Sequence, residues 1–497
     1  MRNNNLFIAA SQTHEESLPF LSKFIYFVSI ATIFLLLACS LNNSLWIDEI
    51  LSAWLSSLTY EEIYKASLQH PQSPLFLFYQ HTLMALDEKK EWILRCGSLA
   101  ALAGSCVFMF RINLQVGNQR AAYLSLAMLL GTEAALRPSV YARPYSLALF
   151  ACIVSIYYFI QWLENSSTRD FCVHCLSLTL TISLHYLFLP FFFICSGYVF
   201  IADKTSLQKR IYFVGAGFSA LAFLLLSLNI FYIASKGKSL SSAAPPSLDV
   251  LGALIAPMVL LTCVFMSIFS LAKARKVKVQ KDLPHRIYFL SLLVLPIIIA
   301  FVLDCFAIVS IFIPRYLLIT IPGVIVISSY YLARTSTSIS IPLSAIAALV
   351  SAILLYNKPL HPEDWKTAAR YLRQAAVPAP VLLYSGIVEN REPIDFNNSH
   401  QLSYLLTPNW FYEYSVKSCP LTQPLRANSP WLSIEKCLAK DSEKNNKFYL
   451  IARNEALDAT TSCDAFNDAI LKSAYLISDT KEFGAVCLIE AIKKPVS

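Results

Sequence analysis

The sequence predicts a polytopic α-helical membrane protein of about eleven transmembrane helices, with a C-terminal extracytoplasmic α/β domain. Three observations carry that prediction. The 497 residues are 56% hydrophobic and only 14% charged, with a mean hydropathy of +0.53, whereas soluble domains carry about 25% charged residues. The charge is unevenly placed: residues 357–497 hold 16 basic and 16 acidic residues, so the net +8 lies wholly within residues 1–356. That first part also contains eleven apolar stretches close to the ~20 residues a helix needs to cross a bilayer. No compact basic, polar domain exists to bind nucleic acid. The positive excess reads instead as loop charge on a membrane protein.

The stretches are approximately 21–41, 93–110, 121–137, 144–162, 171–184, 187–202, 211–233, 251–271, 287–308, 316–333 and 339–356. The fifth and sixth are short, which suits either one kinked helix or a re-entrant pair. With the N-terminus inside, alternate connections collect Arg111, Arg120, Arg169, Lys204, Lys209, Arg210, the basic run from Lys273 to Arg286, and Arg334. Together with Arg2 and Lys23 these are 15 of the 24 basic residues of 1–356. Positive residues favour the cytoplasmic face, so the N-terminus is expected inside. An odd number of spans then delivers residues 357–497 to the outside.

Two domains follow: a membrane module over 1–356 with a long first outer loop at 42–92, and an extracytoplasmic domain over 357–497. The loop contains WIDEILSAWLSSL, TYEEIYKASLQ and SPLFLFYQHTLMAL, each with helical spacing of apolar residues, as in short helices lying on a membrane surface. Loops of this length are usually functional. In the last domain DWKTAARYLRQAA reads as a helix. VLLYS follows as a strand after Pro378 and Pro380, and KFYLIAR is a second strand. SAYLIS and AVCLIEAI, separated by DTKEFG, read as a terminal hairpin.

LLAC at 36–39 resembles a lipoprotein cleavage box. The leader before it is polar and carries Glu15 and Glu16 where such signals carry basic residues, so an uncleaved first span is expected. Cys172 and Cys175 form a C-x2-C around His174, but no second ligand pair accompanies them, and packing is the expected role. Cys419, Cys437, Cys463 and Cys487 all fall in the outer domain. An even number in an oxidising compartment suggests two disulfides, with three pairings open.

Ionisable residues at membrane depth are functional hypotheses by default, and four patterns stand out on the expected outer side. Asp48 and Glu49 adjoin in WIDE after the first span, a pair suited to acid–base work. A bare pair of this kind more often only favours the dipole of a helix N-terminus. His70 opens HPQSPL, whose prolines fix a turn before a new helix. Arg143 in YARPYSL has a planar fork suited to phosphate oxygens; snorkelling to the interface is the plainer alternative. Glu133 and Arg137, four apart, suit a helix ion pair. His185-Tyr186 lies between the two short stretches. In Pro314-Arg315-Tyr316, Arg315 is the only basic residue between Tyr288 and Ala333.

In order and on one face, these pieces resemble the GT-C glycosyltransferases, in particular the bacterial group like dolichyl-phosphate-mannose–protein mannosyltransferases (glycosyltransferase family 39-like) and the lipid A aminoarabinose transferase. WIDE, HPQSPLFLF, YARPYSLALF, LHY, PRYLL and PEDWKTAARYL each resemble a segment of that family in the same order. The chain departs at Gln72-Ser73, which split the family's H-P-P-L, and at Tyr141, where relatives carry Glu.

The resemblance implies that Asp48 is the catalytic carboxylate activating the acceptor, with Glu49 assisting. It implies that Arg143 and Arg315 hold the donor lipid phosphate. His70 and His185 would line the site, with Tyr145 and Tyr316 shaping it. A divalent cation is the only cofactor candidate, and its ligands are unassigned. The function so implied is transfer of a sugar, with inversion in the family's manner, from a polyprenyl-phosphate-linked donor to a lipid, glycan or protein acceptor. The setting would be the outer face of a bacterial inner membrane, with membrane lipids as partners and no nucleic acid. An oligosaccharide ligase would need the same kind of site with a larger cavity. The alternative from another class is a transporter or flippase of lipid-linked sugars. That class more often shows paired repeats and broken helices at the midplane, and no repeat is evident here.

Overall fold

The computed structural model describes residues 27–228 except 69, 71 and 88; 285–306; 316–335; 349, 350, 353 and 356; and 362–495 except 375–378, 388–394, 396, 415–417, 422–429, 440–445 and 458–459. The chain divides into two compact units. The helical unit comprises Met1–Leu41, Tyr64–Phe78 and Arg95–Lys358. The sheet unit comprises Asn42–Ile63, Tyr79–Leu94 and Pro359–Ser497, so it takes in much of the loop 42–92.

Thirteen helices precede residue 336 among the described residues: α1 Phe27–Asn42, then α2 Ile47–Ser56, α3 Tyr60–Ser67, α4 Pro74–Met84, α5 Glu91–Val116, α6 Gln119–Gly131, α7 Glu133–Ser139, α8 Tyr145–Asn165, α9 Thr168–Leu184, α10 Leu189–Ile201, α11 Ser206–Leu226, α12 Arg286–Cys305 and α13 Ile321–Thr335. Four of them, α5, α8, α11 and α12, are long and apolar enough to cross a membrane, or up to five spans with α1 and α2 counted together.

The gap between this number and the eleven expected has identifiable causes. Stretch 251–271 and most of 339–356 lie outside the described residues. Stretch 121–137 breaks at Thr132, whose extended backbone ends α6 and opens α7. His185, also extended, separates α9 from a 3-10 turn at Tyr186–Phe188 and from α10, so the fifth and sixth stretches are two helices. Stretch 316–333 opens with a 3-10 turn, Leu318–Thr320, before α13.

Within the helical unit α8 packs along α9, α6 against α13, α12 against α13, and α11 against α9. Buried polar pairs tie these apolar helices. The Ser155 hydroxyl lies 2.9 Å from His174 Nδ1, and Ser329 donates to Asn113 Oδ1 at 2.6 Å. Such pairs contribute because hydrocarbon offers no other partner. His174 is wholly buried against Phe159 and Tyr212; of the C-x2-C around it, Cys175 is half-buried and Cys172 is exposed. Among the described residues, Leu207, Ile211, Val214, Phe218, Leu221 and Leu225 of α11 stay exposed. Their alternating spacing of four and three draws one apolar stripe, as on a helix facing lipid.

The sheet unit holds a five-stranded mixed sheet in the order β2-β1-β3-β7-β6. Its strands are β1 Val381–Tyr384, β2 Ser418–Pro420, β3 Lys447–Arg453, β6 Tyr475–Phe483 and β7 Val486–Lys493; β4 Ala456–Leu457 and β5 Thr460–Thr461 form a separate small ribbon. β1 runs parallel to β2 and β3, and β7 runs antiparallel to β3 and β6. β1 and the middle of β3 are apolar and buried on both faces; on one face Leu382, Tyr384, Phe448, Leu450 and Ile489 pack with Phe466 and Ile470 of the helix Ser462–Leu471. Two disulfides pin helices to this sheet, Cys419–Cys437 and Cys463–Cys487.

The terminal hairpin is longer than the sequence suggested. DTKEF, expected as a connection, continues β6, because its side chains alternate in exposure like those before them. The turn is reduced to Gly484 and Ala485. Gly484 has φ +62, and a Cβ there would lie 1.8 Å from the Pro362 carbonyl oxygen. Only glycine allows that approach. The turn thereby grips the segment just before the helix Trp365–Gln374: Glu363 bridges Gly484, Ala485 N donates to Pro362 O at 2.5 Å, and Asp364 N donates to Phe483 O at 3.3 Å.

Candidate functional site

In the helical unit, Pro138 near the end of α7 and Pro144 at the start of α8 bracket the turn that carries Arg143. α5 holds this turn. The Ser98 hydroxyl donates to Tyr141 O at 2.7 Å, and the Ser146 hydroxyl donates back to Ser98 O at 3.0 Å. The Arg143 guanidinium carbon lies 5.8 Å from the centre of the Tyr145 ring, within cation–π range. The expected helix pair forms beside it, with Arg137 Nη2 at 2.5 Å from Glu133 Oε1.

The Tyr145 ring lies 5.0 Å from that of His185, and His185 lies 6.0 Å from Tyr316. The break between α9 and the following 3-10 turn puts His185 there: its N–H closes α9 on Thr181 O, and its own carbonyl accepts from Phe188 N. The HPQSP segment is tied to the same break, because the Ser73 hydroxyl donates to Ser183 O at 2.5 Å. Ser73 also caps α4, with Phe76 N donating to its hydroxyl. His70, half-buried, precedes this anchor by three residues. Residues from three well-separated stretches, Arg143, Tyr145, His185 and Tyr316, therefore form one half-buried group bearing a cation and three rings. Arg315 lies outside the described residues.

Asp48 and Glu49 belong to the sheet unit. Glu49 is buried and turns back on its own helix, its Oε2 accepting from Trp46 N at 3.1 Å. Asp48 is half-buried one position earlier. The start of α2 is further held by side chains from the far end of the chain. The Tyr412 hydroxyl accepts from Leu45 N at 2.8 Å, and Glu363 Oε2 accepts from Ile47 N at 2.8 Å. Glu363 is 2% exposed and also accepts from Trp365 Nε1 at 2.8 Å, while its Oε1 lies 2.9 Å from Arg453 Nε.

Burial pushes the Glu363 carboxyl above its ordinary range. Arg453, the Trp365 indole and the Ile47 N–H pull it back, and the Asp48 carboxylate adds to the rise. Glu363 and Arg453 were not among the expected site residues. The available signal was PEDW itself, an acidic pair ahead of a helix, with an arginine ending the strand KFYLIAR. Among the described residues, no three His, Cys, Asp or Glu side chains are grouped so as to hold a metal ion.

Residues 69–230 match the sequence profile of the family described as dolichyl-phosphate-mannose-protein mannosyltransferase. No curated protein sequence matches the chain. Among solved structures, the fold is similar to ArnT from Cupriavidus metallidurans bound to undecaprenyl phosphate, at TM-score 0.59 and 10% identity, covering 94% of this chain and 98% of that one. The apo form of the same protein gives the same TM-score and identity over 96% of this chain and 98% of that one. An oligosaccharyltransferase from Archaeoglobus fulgidus, in complex with zinc and sulfate, is 11% identical at TM-score 0.44, over 86% of this chain and 68% of that one. The resemblance to GT-C glycosyltransferases read from the motifs thus reappears in the family profile and in the fold.

Proposed function

We propose that this chain is a polytopic membrane glycosyltransferase that takes a sugar from a polyprenyl-phosphate-linked donor and moves it, with inversion, to a lipid, glycan or protein acceptor. The observation that carries the reading is the convergence of Arg143, Tyr145, His185 and Tyr316, three of which lie within the stretch that matches the mannosyltransferase profile. A guanidinium beside aromatic faces suits a phosphate whose leaving oxygen gains charge as the sugar departs. The undecaprenyl phosphate bound by the similar ArnT is a carrier of that chemistry.

In the reaction, the acceptor oxygen attacks the anomeric carbon from the face opposite the phosphate. Asp48 takes the acceptor's proton as the new C–O bond forms, and Glu49 supports it by fixing the start of α2. The bond from the anomeric carbon to the phosphate oxygen breaks, and the electron pair leaves with the polyprenyl phosphate. Arg143 and Arg315 hold that charge, while His70, His185 and the two tyrosines line the site. The membrane is the inner membrane of a bacterium, crossed about eleven times with the N-terminus in the cytoplasm, so residues 357–497 form an extracytoplasmic domain. The loop charge supports that orientation.

The test is release of labelled sugar from a radiolabelled polyprenyl-phosphate donor in proteoliposomes, comparing wild type with Asp48→Asn and Arg143→Ala. Activity that collapses in both folded variants supports the reading. Turnover equal to wild type in Asp48→Asn removes that carboxylate from the chemistry.

A further inference from the structure

We infer that Glu363 is a positioning residue for Asp48: it fixes the first turn of α2 from 316 positions further along the chain and thereby aims the carboxylate that follows. The inference rests on the role proposed above for Asp48.

The geometry is specific. A helix leaves its first N–H groups without partners inside the helix. Around the start of α2 three successive N–H groups find side-chain acceptors instead. Leu45 N donates to the Tyr412 hydroxyl, Trp46 N to Glu49, and Ile47 N to Glu363. The last is the N–H next to Asp48, and its acceptor lies 316 positions along the chain.

A carboxylate suits this place because the N-terminal end of a helix favours negative charge. Burying that carboxylate is costly unless it is paired, and Arg453 supplies the pair at 2.9 Å. Arg453 is itself confined: Gly386 approaches it with φ +70, and a Cβ there would lie 2.7 Å from Arg453 Cδ. The backbone of Glu363 is gripped by the turn at Gly484. Arg453 and the turn at Gly484 therefore restrict where the Glu363 carboxylate sits, and the carboxylate restricts where Ile47 and Asp48 sit. Geometry at a reacting group matters steeply: displacements of about 1 Å cost on the order of a hundredfold in rate.

The experiment is a double-mutant cycle on the full-length protein in proteoliposomes, with a 14C-labelled undecaprenyl-phosphate hexose as donor. Glu363→Ala is expected to lower kcat on the order of tenfold to a hundredfold, with the donor KM within about twofold of wild type. Because Glu363 acts through Asp48, the Asp48→Asn, Glu363→Ala double variant is expected to be no slower than Asp48→Asn alone. Losses that multiply overturn the inference.

Glu363→Gln keeps an acceptor for the Ile47 N–H and is expected to recover part of the rate. Trp365→Phe removes a different bond of the same carboxylate and is expected to stay near wild type. A Trp365→Phe variant as slow as Glu363→Ala means general loosening of the domain and also overturns the inference. A second readout needs no donor: amide exchange at residues 45–49 is expected to accelerate at least about tenfold in Glu363→Ala and little in Trp365→Phe. Unchanged exchange in Glu363→Ala sinks the positioning role. Full activity in Asp48→Asn instead sinks the role of Asp48, so the two failures are distinguishable.

Discussion

Replacing Arg143 by Lys keeps the charge and loses the planar fork, and at a bidentate site the two are not interchangeable. Arg143→Lys is expected to keep measurable donor binding while kcat falls on the order of tenfold or more, which steady-state kinetics on the labelled donor would read. Glu363 answers to pH. Burial raises its carboxyl above the ordinary 4.5, so the folded chain binds this proton more tightly than the unfolded chain. Its contribution to stability is then full below the ordinary value and falls as pH rises through the interval up to the folded value. The thermal midpoint of wild type, relative to Glu363→Gln, is expected to decline as pH climbs from about 4.5. A constant difference across that range would contradict it. Sequence alone named Arg143, Tyr145, His185 and Tyr316 one by one, but spacing says nothing about rings meeting across three stretches. It also read DWKTAARYLRQAA as a helix; that Glu363, just before it, reaches Ile47 depends on a pairing 316 residues long, which no local pattern encodes.

At the scale of elements, apolar length predicted where helices exist better than where they stop. The break at Thr132 follows Gly131, a punctuation the sequence did offer, whereas His185 has neither proline nor glycine beside it. β6 was cut short for the opposite reason: DTKEF is polar and looked like a turn, yet one face of an edge strand is free to be polar. The turn that follows gives a sharp test. Gly484→Ala would put a Cβ 1.8 Å from a backbone oxygen at positive φ, and neither partner can swing away. The expected cost is on the order of 1–3 kcal/mol, read as a lowered thermal midpoint in detergent. Because that turn grips Glu363, activity should fall further than the midpoint alone accounts for.

Over the whole molecule, cysteine chemistry reports compartment. Without reductant, Cys419, Cys437, Cys463 and Cys487 are expected to resist alkylation, because they are paired. Cys172 is exposed at the start of α9. Under the proposed orientation it should react in intact cells with a membrane-permeant maleimide and not with an impermeant one; labelling by the impermeant reagent would reverse the topology. The grip of Gly484 on Pro362 and Glu363 also has a bearing on biosynthesis. α2 leaves the ribosome more than 400 residues before the turn that secures its anchor. A nascent chain can therefore have inserted its membrane helices and still lack a properly seated Asp48 until Gly484 and Ala485 are made. A chain prematurely terminated before residue 484 should accumulate in the membrane as an inert species, so that competence for reaction is acquired only once that turn has been made.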